Sequence, residues 1–430
     1  MCKICQYFKP ISISLSPNTE KDDVWLAFKM IFRPWLWKKG KAILELEQEF
    51  KNYLGVNYAF SFNSGRSALL AILKGLELEK RSFGSTEASA DKEILVQAFT
   101  CNAAVNPIIW SGLKPIYIDC DENTFNIDLR DLKRKITLKS KSRVLMIQHT
   151  FGLPVKMDEI SGLIERYNLI LIEDCAHALG AEYNGQKVGT FGKAGFFSFS
   201  RDKVISSIYG GMAVTNDLSL AEKIRQAQEG FGYPSFFWVF QQLLHPILVN
   251  WIILPIYNFL DLGKIFLILS QWFHILSKAV HWKEKKGEKP AYFPKRLPNG
   301  LAILALNQFK KLDKFNNHRK KIADFYYEKL KNYSFILPQK DSSIFLRFTI
   351  KHRKAHEIIY QAWNKRNILI GDWYTSPIAP DDTNLEKMGY QIGSCPKAEK
   401  LSKITLNLPT HINISLEKAQ KIVDFLKRYF

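Results

Sequence analysis

Between Tyr58 and His177 the chain alternates two patterns. Short uninterrupted apolar runs alternate with longer stretches whose apolar positions recur every three or four residues. The runs "EILVQAF", "KPIYIDCD", "RVLMIQHTFG" and "LILIEDCAH" predict strands, and "NAAVNPIIWSG" and "MDEISGLIERYN" predict helices. Upstream, "AILELEQEFKNYLG" (42–55) has helical spacing and stops at a glycine. Tyr58 to Phe62 reads as a strand, Asn63 to Arg66 as a turn and Ser67 to Leu76 as a helix, followed by a polar loop, "KRSFGSTEASADKE". Apolar strands alternating with amphipathic helices predict an α/β fold with a mostly parallel sheet covered on both faces. Ligands of such sheets bind at the carboxyl ends of the strands.

After Asp217 the pattern changes. "SLAEKIRQAQEGFG" predicts a helix, and Ser235 to Leu260 then carries no Asp, Glu, Lys or Arg. That stretch is long enough to cross a bilayer, but Gln241, Gln242, His245 and Asn250 argue against a clean span, and Pro246 and Pro255 predict a break into short helices. Asp261, Gly263 and Lys264 interrupt it before "IFLILSQWFHIL" resumes. Trp238, Trp251, Trp272 and Trp282 suit a headgroup interface, and Lys283, Lys285, Lys286 and Lys289 suit anionic lipid. The expectation is a helical element lying on the cytoplasmic face of a membrane; the alternative is that these helices pack on the protein's own dimer. From Ala302 to Tyr333 the spacing predicts one long amphipathic helix. The remainder mixes short strands ("SIFLRFTI") with helices ("KAHEIIYQAWNKRN", "LEKAQKIVDFLKRYF"), a smaller α+β domain. The chain thus divides into a large domain over 1–233, a hydrophobic insertion over 234–290, and a long helix with a small domain over 291–430.

Length and composition sharpen this. A chain of 430 residues, 47% hydrophobic, predicts two domains with sizeable cores. A net charge of +20 favours acidic partners, and with no nucleic-acid motif or concentrated basic helix, anionic lipid or phosphorylated substrates fit better than nucleic acid. The six cysteines are scattered apart from Cys2 and Cys5; one C-x-x-C without a second pair is a weak zinc or redox signal, and no metal site is expected. Few cysteines and no apolar leader point to the cytoplasm.

The chemistry concentrates in two places. Asp174 ends an apolar strand, where a carboxylate is costly unless a cation meets it. Lys203 lies twenty-nine residues on, in "FSFSRDKVISSIYGG", between a strand-like run and a Gly-Gly pair. The glycines between, in "NGQKVGTFGKAG", predict a hairpin that returns the chain to the same edge. A strand-end aspartate, a turn-flanked lysine and the strand–turn–helix at "NSGRSAL" are the parts a pyridoxal phosphate site requires. The amine holds the cofactor covalently, the carboxylate keeps the pyridine nitrogen protonated, and helix N-terminal amides bind the phosphate.

These residues resemble the DegT/DnrJ/EryC1/StrS aminotransferases, sugar aminotransferases of fold type I. The resemblance rests on "SFNSGRSALLAIL", "QAFTCNAAVNPIIWSGLKPIYIDCDENTFNID", "LIEDCAHALGAEYNGQKVGTFGKAGFFSFSRDKVISSIYGGMAVTND", "LPNGLAILALNQFKKLDKFNNHRKKIADFYYEKL" and "LNLPTHINISLEKAQKIVDFL". It implies Lys203 as the cofactor-bearing lysine, Asp174 at the pyridine nitrogen, and Ser198 with the amides of Gly65, Arg66 and Ser67 at the phosphate. It places His177 and Cys101 against the cofactor and matches Arg296 to an arginine contributed by the partner subunit of a homodimer. The chain departs from the family at three points: Cys101 stands where many relatives stack an aromatic, Arg66 where many carry threonine, and Ile208 and Tyr209 where a glycine and an acid are usual.

The activity implied is transfer of an amino group from glutamate or glutamine to a keto-sugar nucleotide in cell-surface glycan biosynthesis. Two other classes compete: a membrane-associated protein keeping the fold for binding or regulation, and another pyridoxal phosphate reaction such as desulfuration. Retention of Lys203, Asp174 and Ser198 in register weighs against the first, and Cys395, which reads as a helix start, against the second. His149 reads equally as a structural histidine or a substrate contact, Cys175 as buried packing, and Trp373 and Tyr374 as pocket wall or ordinary domain packing.

Overall fold

The computed structural model describes residues 9–77, 92–138, 143–340 and 342–429. Cys2, Cys5 and most of the polar loop after Leu76 lie outside the described residues.

The apolar runs form the mostly parallel sheet they predict, here of seven strands: β1 (Tyr58–Phe62), β2 (Glu93–Gln97), β3 (Lys114–Ile118), β4 (Val144–Gln148), β5 (Ile170–Asp174), β6 (Ala194–Ser198) and β7 (Gly211–Thr215). Their order is β1-β7-β6-β5-β4-β2-β3. Neighbours run parallel except β7, which is antiparallel to both β6 and β1. All five residues of β4 are buried, as a strand covered on both faces must be. Side chains alternate between two cores. Phe197 packs with Leu46 and Phe50 of the helix Ala42–Leu54, whereas Phe196 packs with Leu69 and Ile72 of the helix Gly65–Gly75. The helix Ala42–Leu54 ends at Gly55, which takes up the left-handed conformation at φ 70°.

Register positions the site. Asp174 pairs with Gln148 on β4 and Phe196 on β6, Ser198 pairs with Gly211, and Gly211 pairs with Phe62. The carboxyl ends of β5 and β6, the start of β7 and the turn into helix Gly65–Gly75 therefore share one end of the sheet. The expected hairpin is present as Glu182–Tyr183 against Gln186–Lys187.

The C-terminal domain pairs β8 (Arg347–Lys351) antiparallel with β9 (Thr405–Pro409) and covers them with the helices Leu312–Leu330, Ala355–Lys365 and Leu416–Leu426. A short parallel pairing of Ile378–Ala379 with Thr100–Cys101 draws the loop after Gly371 over the end of the large sheet.

Two expectations differ from the structure. The long helix is two, Asn299–Phe309 and Leu312–Leu330. The first is buried nearly all round, against residues of the N-terminal helices, while the second turns one face to the small domain. Lys311, at the break, is held by Glu20, Asp22 and Asp23. Pro246 does not end a helix: it lies inside Phe236–Leu248, which continues through the wider turn Val249–Ile253. Burial of Trp238, Val239, Leu243 and Ile247 against the rest of the chain outweighs the roughly 3 kcal/mol that an internal proline costs.

Candidate active site

The shared end of the sheet holds a cavity of about 230 Å³. Asp174, His177, Ser198, Lys203, Gly65, Arg66 and Cys101 all line it; Ser67 and Arg296 do not.

The turn into helix Gly65–Gly75 forms one wall. Ser64 caps it, its Oγ accepting from the Ser67 amide at 3.1 Å. The Ser67 amide, expected to face the phosphate, is thus already engaged. The amides of Gly65 and Arg66 have no hydrogen-bond acceptor among the described residues, as the first turn of a helix leaves them. Close approach requires glycine here. A Cβ on Gly65 would lie 3.1 Å from Ser198 Cβ, and one on Gly211 would lie 2.4 Å from the Gly65 nitrogen. The Gly-Gly pair beside Lys203 therefore lets β7 pass against the start of the helix.

Lys203 is half-buried with Trp373 over it, its Nζ 4.8 Å from the ring centroid. Asn18 Nδ2 donates to the Lys203 carbonyl at 2.5 Å. Burial pulls the ammonium down to about 8, against the opposing pull of Cys101 and Asp174. Burial likewise pushes the Asp174 carboxyl up to about 6, although Oδ1 accepts from the Ala176 amide at 2.9 Å and Lys203 lies nearby. His177 is stacked between Trp373 at 5.2 Å and Phe151 at 5.9 Å. Its Nδ1 accepts from the Phe151 amide at 3.3 Å, which leaves the proton on Nε2, facing the Tyr374 hydroxyl at 3.3 Å. Burial, with Lys203 and Arg347 adding to it, holds this imidazole well below its usual range, so it is neutral. Cys101 caps the helix Asn102–Trp110, its Sγ accepting from the Ala103 amide at 3.5 Å, and burial pushes its thiol up.

Two arginines have partners of their own. The Arg66 guanidinium turns to the insertion rather than to a phosphate: Nε meets Glu284 Oε2 at 2.6 Å and Nη2 donates to the Ala279 carbonyl at 3.4 Å. The Arg296 guanidinium lies over the Tyr233 ring at 4.9 Å, outside its own chain's cavity. His149 proves structural. Its Nδ1 accepts from the Val155 amide at 3.1 Å, and its Nε2 meets Glu173 Oε2 at 3.1 Å. Glu173, buried beside His149 and Cys175, also accepts from the amides of Gly189, Phe191 and Gly192, so it holds the turn that follows the hairpin.

Trp373 and Tyr374 are pocket wall. Sequence reading missed Arg201, Asp202 and Gln148, which line the cavity, and the segment Ser277–Glu284, whose Ala279 and Val280 do so too. Arg201 Nη2 donates to Ser277 Oγ at 2.6 Å and the Tyr209 hydroxyl to the Lys278 carbonyl at 2.7 Å. Only the Tyr209 departure from the family pattern hinted that this wall is rebuilt.

An amine near neutrality, a strand-end carboxylate, two helix N-terminal amides and a serine hydroxyl form a donor set that fits pyridoxal 5'-phosphate. A side chain on Gly65 would fill the cradle at the phosphate end.

The chain is similar to known proteins in sequence and in fold. The chain is 37% identical to the GDP-perosamine synthase of Escherichia coli O157:H7 over 44% of its own length and 49% of that protein. The alignments with the first such relatives span about half of their length. A longer match, 26% identical over 91% of this chain and 89% of the relative, is to the UDP-N-acetyl-3-dehydro-alpha-D-glucosamine 3-aminotranferase of Acidithiobacillus ferrooxidans. Among solved structures, Helicobacter pylori PseC, an aminotransferase of pseudoaminic acid biosynthesis, superposes with a TM-score of 0.72 at 24% identity, covering 98% of this chain and 99% of that one. That likeness is one of fold, the fold type I architecture. The sequence profile of the DegT/DnrJ/EryC1/StrS aminotransferase family matches residues 19–238 and 271–427, leaving only the middle of the hydrophobic insertion unmatched between them. The chain therefore belongs to the DegT/DnrJ/EryC1/StrS aminotransferase family, with pyridoxal 5'-phosphate as its cofactor.

Proposed function

We propose that the protein is an aminotransferase moving an amino group from glutamate or glutamine to a keto-sugar nucleotide in cell-surface glycan biosynthesis. The observation that carries this reading is the convergence of Lys203, Asp174, Ser198 and the Gly65–Arg66 amides on one buried cavity in a chain of this family. The relatives named for GDP-, UDP- and dTDP-linked sugars support the substrate class. When bound, pyridoxal 5'-phosphate supplies an electrophilic aldehyde and a ring that withdraws electrons. Lys203 Nζ would hold the cofactor and carry the proton at the reacting carbon. Asp174 would hold a proton at the ring nitrogen. Ser198 Oγ and the Gly65 and Arg66 amides would bind the phosphate. Neutral His177 and Trp373 would supply the aromatic wall that Cys101 cannot, and keep water from Lys203. The test is a panel of GDP-, UDP- and dTDP-linked keto-sugars with ¹⁵N-glutamate and amide-labelled ¹⁵N-glutamine, followed by mass spectrometry. Label in the sugar product is expected, and none across the panel would overturn the reading.

We further propose a homodimer in which Arg296 serves the partner's site, and a cytoplasmic enzyme resting on an anionic membrane face through residues 235–280. The three-part division at 233 and 290 follows from the same reading. Helix Phe236–Ile253 is apolar enough to span, but 56% of it is buried in the protein, which favours packing over crossing for that element. Helix Leu262–Trp272 is different: Leu262, Ile265, Ile268, Leu269 and Trp272 form an exposed stripe. The N-terminal segment, unnoticed in the sequence, adds exposed Trp25, Phe32 and Trp35, and Trp25 meets Trp251 at 5.2 Å. Lys38, Lys39, Lys283 and Lys286 lie within or beside these segments. Apolar and cationic groups together suit an anionic bilayer, whereas a symmetric second copy would oppose lysine to lysine.

A further inference from the structure

The cavity contains a buried cation with no ion-pair partner among the described residues; the Asp202 carboxylate, next in the chain, acts on it only through space. Arg201 is 7% exposed and lines the cavity on the short loop that joins Ser198 to Lys203. Of its five N–H groups, Nη2 is engaged, on Ser277 Oγ at 2.6 Å, and Nε has no hydrogen-bond partner among the described residues. Its guanidinium lies over the Tyr209 ring at 5.6 Å. Arg66, the other arginine on this wall, is neutralised by Glu284 at 2.6 Å, whereas no carboxylate among the described residues forms an ion pair with Arg201.

An arginine does not shed its proton at ordinary pH, and a buried charge without a partner is strongly unfavourable. Such a group is stable when a ligand supplies the missing anion. The guanidinium fork matches the oxygens of a phosphate, which accept two parallel hydrogen bonds. The surroundings point the same way. Ser198 and Ser200 share the Arg201 loop, with their Oγ atoms 3.5 Å apart, and the loop faces the start of helix Gly65–Gly75, where the Gly65 and Arg66 amides have no acceptor.

We propose that Arg201 is a ligand for a phosphate ester bound in this cavity. The inference rests on the reading of the cavity as the cofactor site. Two sources offer the same chemistry: the phosphate monoester of pyridoxal 5'-phosphate, and the diphosphate of a nucleotide sugar. Either way the charge is supplied by this chain, in a loop where sequence patterning shows only a lysine.

The experiment uses the full-length protein with Arg201→Gln and Arg201→Lys. Spectrophotometric titration gives the dissociation constants of pyridoxal 5'-phosphate and of pyridoxal, which lacks the phosphate. GDP, UDP and dTDP are then tested as competitors of the loaded enzyme. A cofactor contact raises the constant for pyridoxal 5'-phosphate about tenfold or more in Arg201→Gln and less in Arg201→Lys, leaving pyridoxal unchanged. A substrate contact leaves both constants unchanged and weakens nucleoside diphosphate competition to a similar extent. Constants and competition all within twofold of wild type overturn the proposal, as does an effect confined to the KM for glutamate, which would make the anion a carboxylate. If Arg201→Gln does not fold, Arg201→Lys decides, because it keeps the charge and loses the fork. Failure of the cofactor reading itself is distinct: wild type would then bind no pyridoxal 5'-phosphate.

Discussion

Burial moves Lys203 and Asp174 towards each other on the pH scale, to about 8 and about 6. The Lys203 ammonium is destabilised, so the free amine that captures an aldehyde gains population as pH passes 8. Below about 6 the Asp174 carboxylate is lost as well. Capture of pyridoxal 5'-phosphate by cofactor-free protein should therefore quicken roughly tenfold between pH 7 and 9. Stopped-flow absorbance measures it, and a flat profile would mean that the amine is not the limiting group. Asp174→Asn removes the charge that, in the proposed function, holds the ring nitrogen protonated. It should retain the cofactor yet lose about a hundredfold in kcat, roughly 2.7 kcal/mol of barrier. Activity within about twofold of wild type would remove Asp174 from the chemistry.

At the scale of elements, the site depends on how closely β7 passes the start of helix Gly65–Gly75. Gly211→Ala would place a methyl 2.4 Å from the Gly65 nitrogen, a backbone atom that cannot rotate away. It should lower stability by about 1–3 kcal/mol and weaken cofactor binding. Thermal melting and cofactor titration check both, and unchanged affinity would show that the helix start does not hold the phosphate. What was legible in the sequence at this scale was local. Apolar runs and glycine stops specify the strands, Asp174 and Lys203 follow from their places at a strand end and a turn, and Ser198 came with the family resemblance. Contacts made across long separations were not legible. The helix breaks at Lys310 because its two halves serve different cores, and Pro246 is tolerated because its neighbours are buried. Arg66 had no visible partner until Glu284 arrived from 218 positions away, and the unpaired Nε of Arg201 shows only in what surrounds it.

At the scale of the whole molecule, two surfaces remain to be covered. If Arg296 serves a neighbouring site, co-expressed Lys203→Ala and Arg296→Ala subunits should regain activity that neither has alone. Dead mixtures of correctly folded dimers would rule out sharing. The aromatic face is tested by flotation with anionic vesicles. The intact chain should float at low salt, and Trp25→Ser combined with Trp272→Ser should weaken it; an intact chain that stays in the soluble fraction returns these helices to protein packing. In the proposed function, the packing of two domains and an insertion around one cavity serves the covalent chemistry of Lys203. The most direct test is borohydride reduction of the purified, yellow protein followed by peptide mapping. The account predicts a pyridoxyl adduct on the peptide carrying Lys203 and none in Lys203→Ala; an adduct at another lysine, or one that survives that substitution with turnover intact, would contradict it.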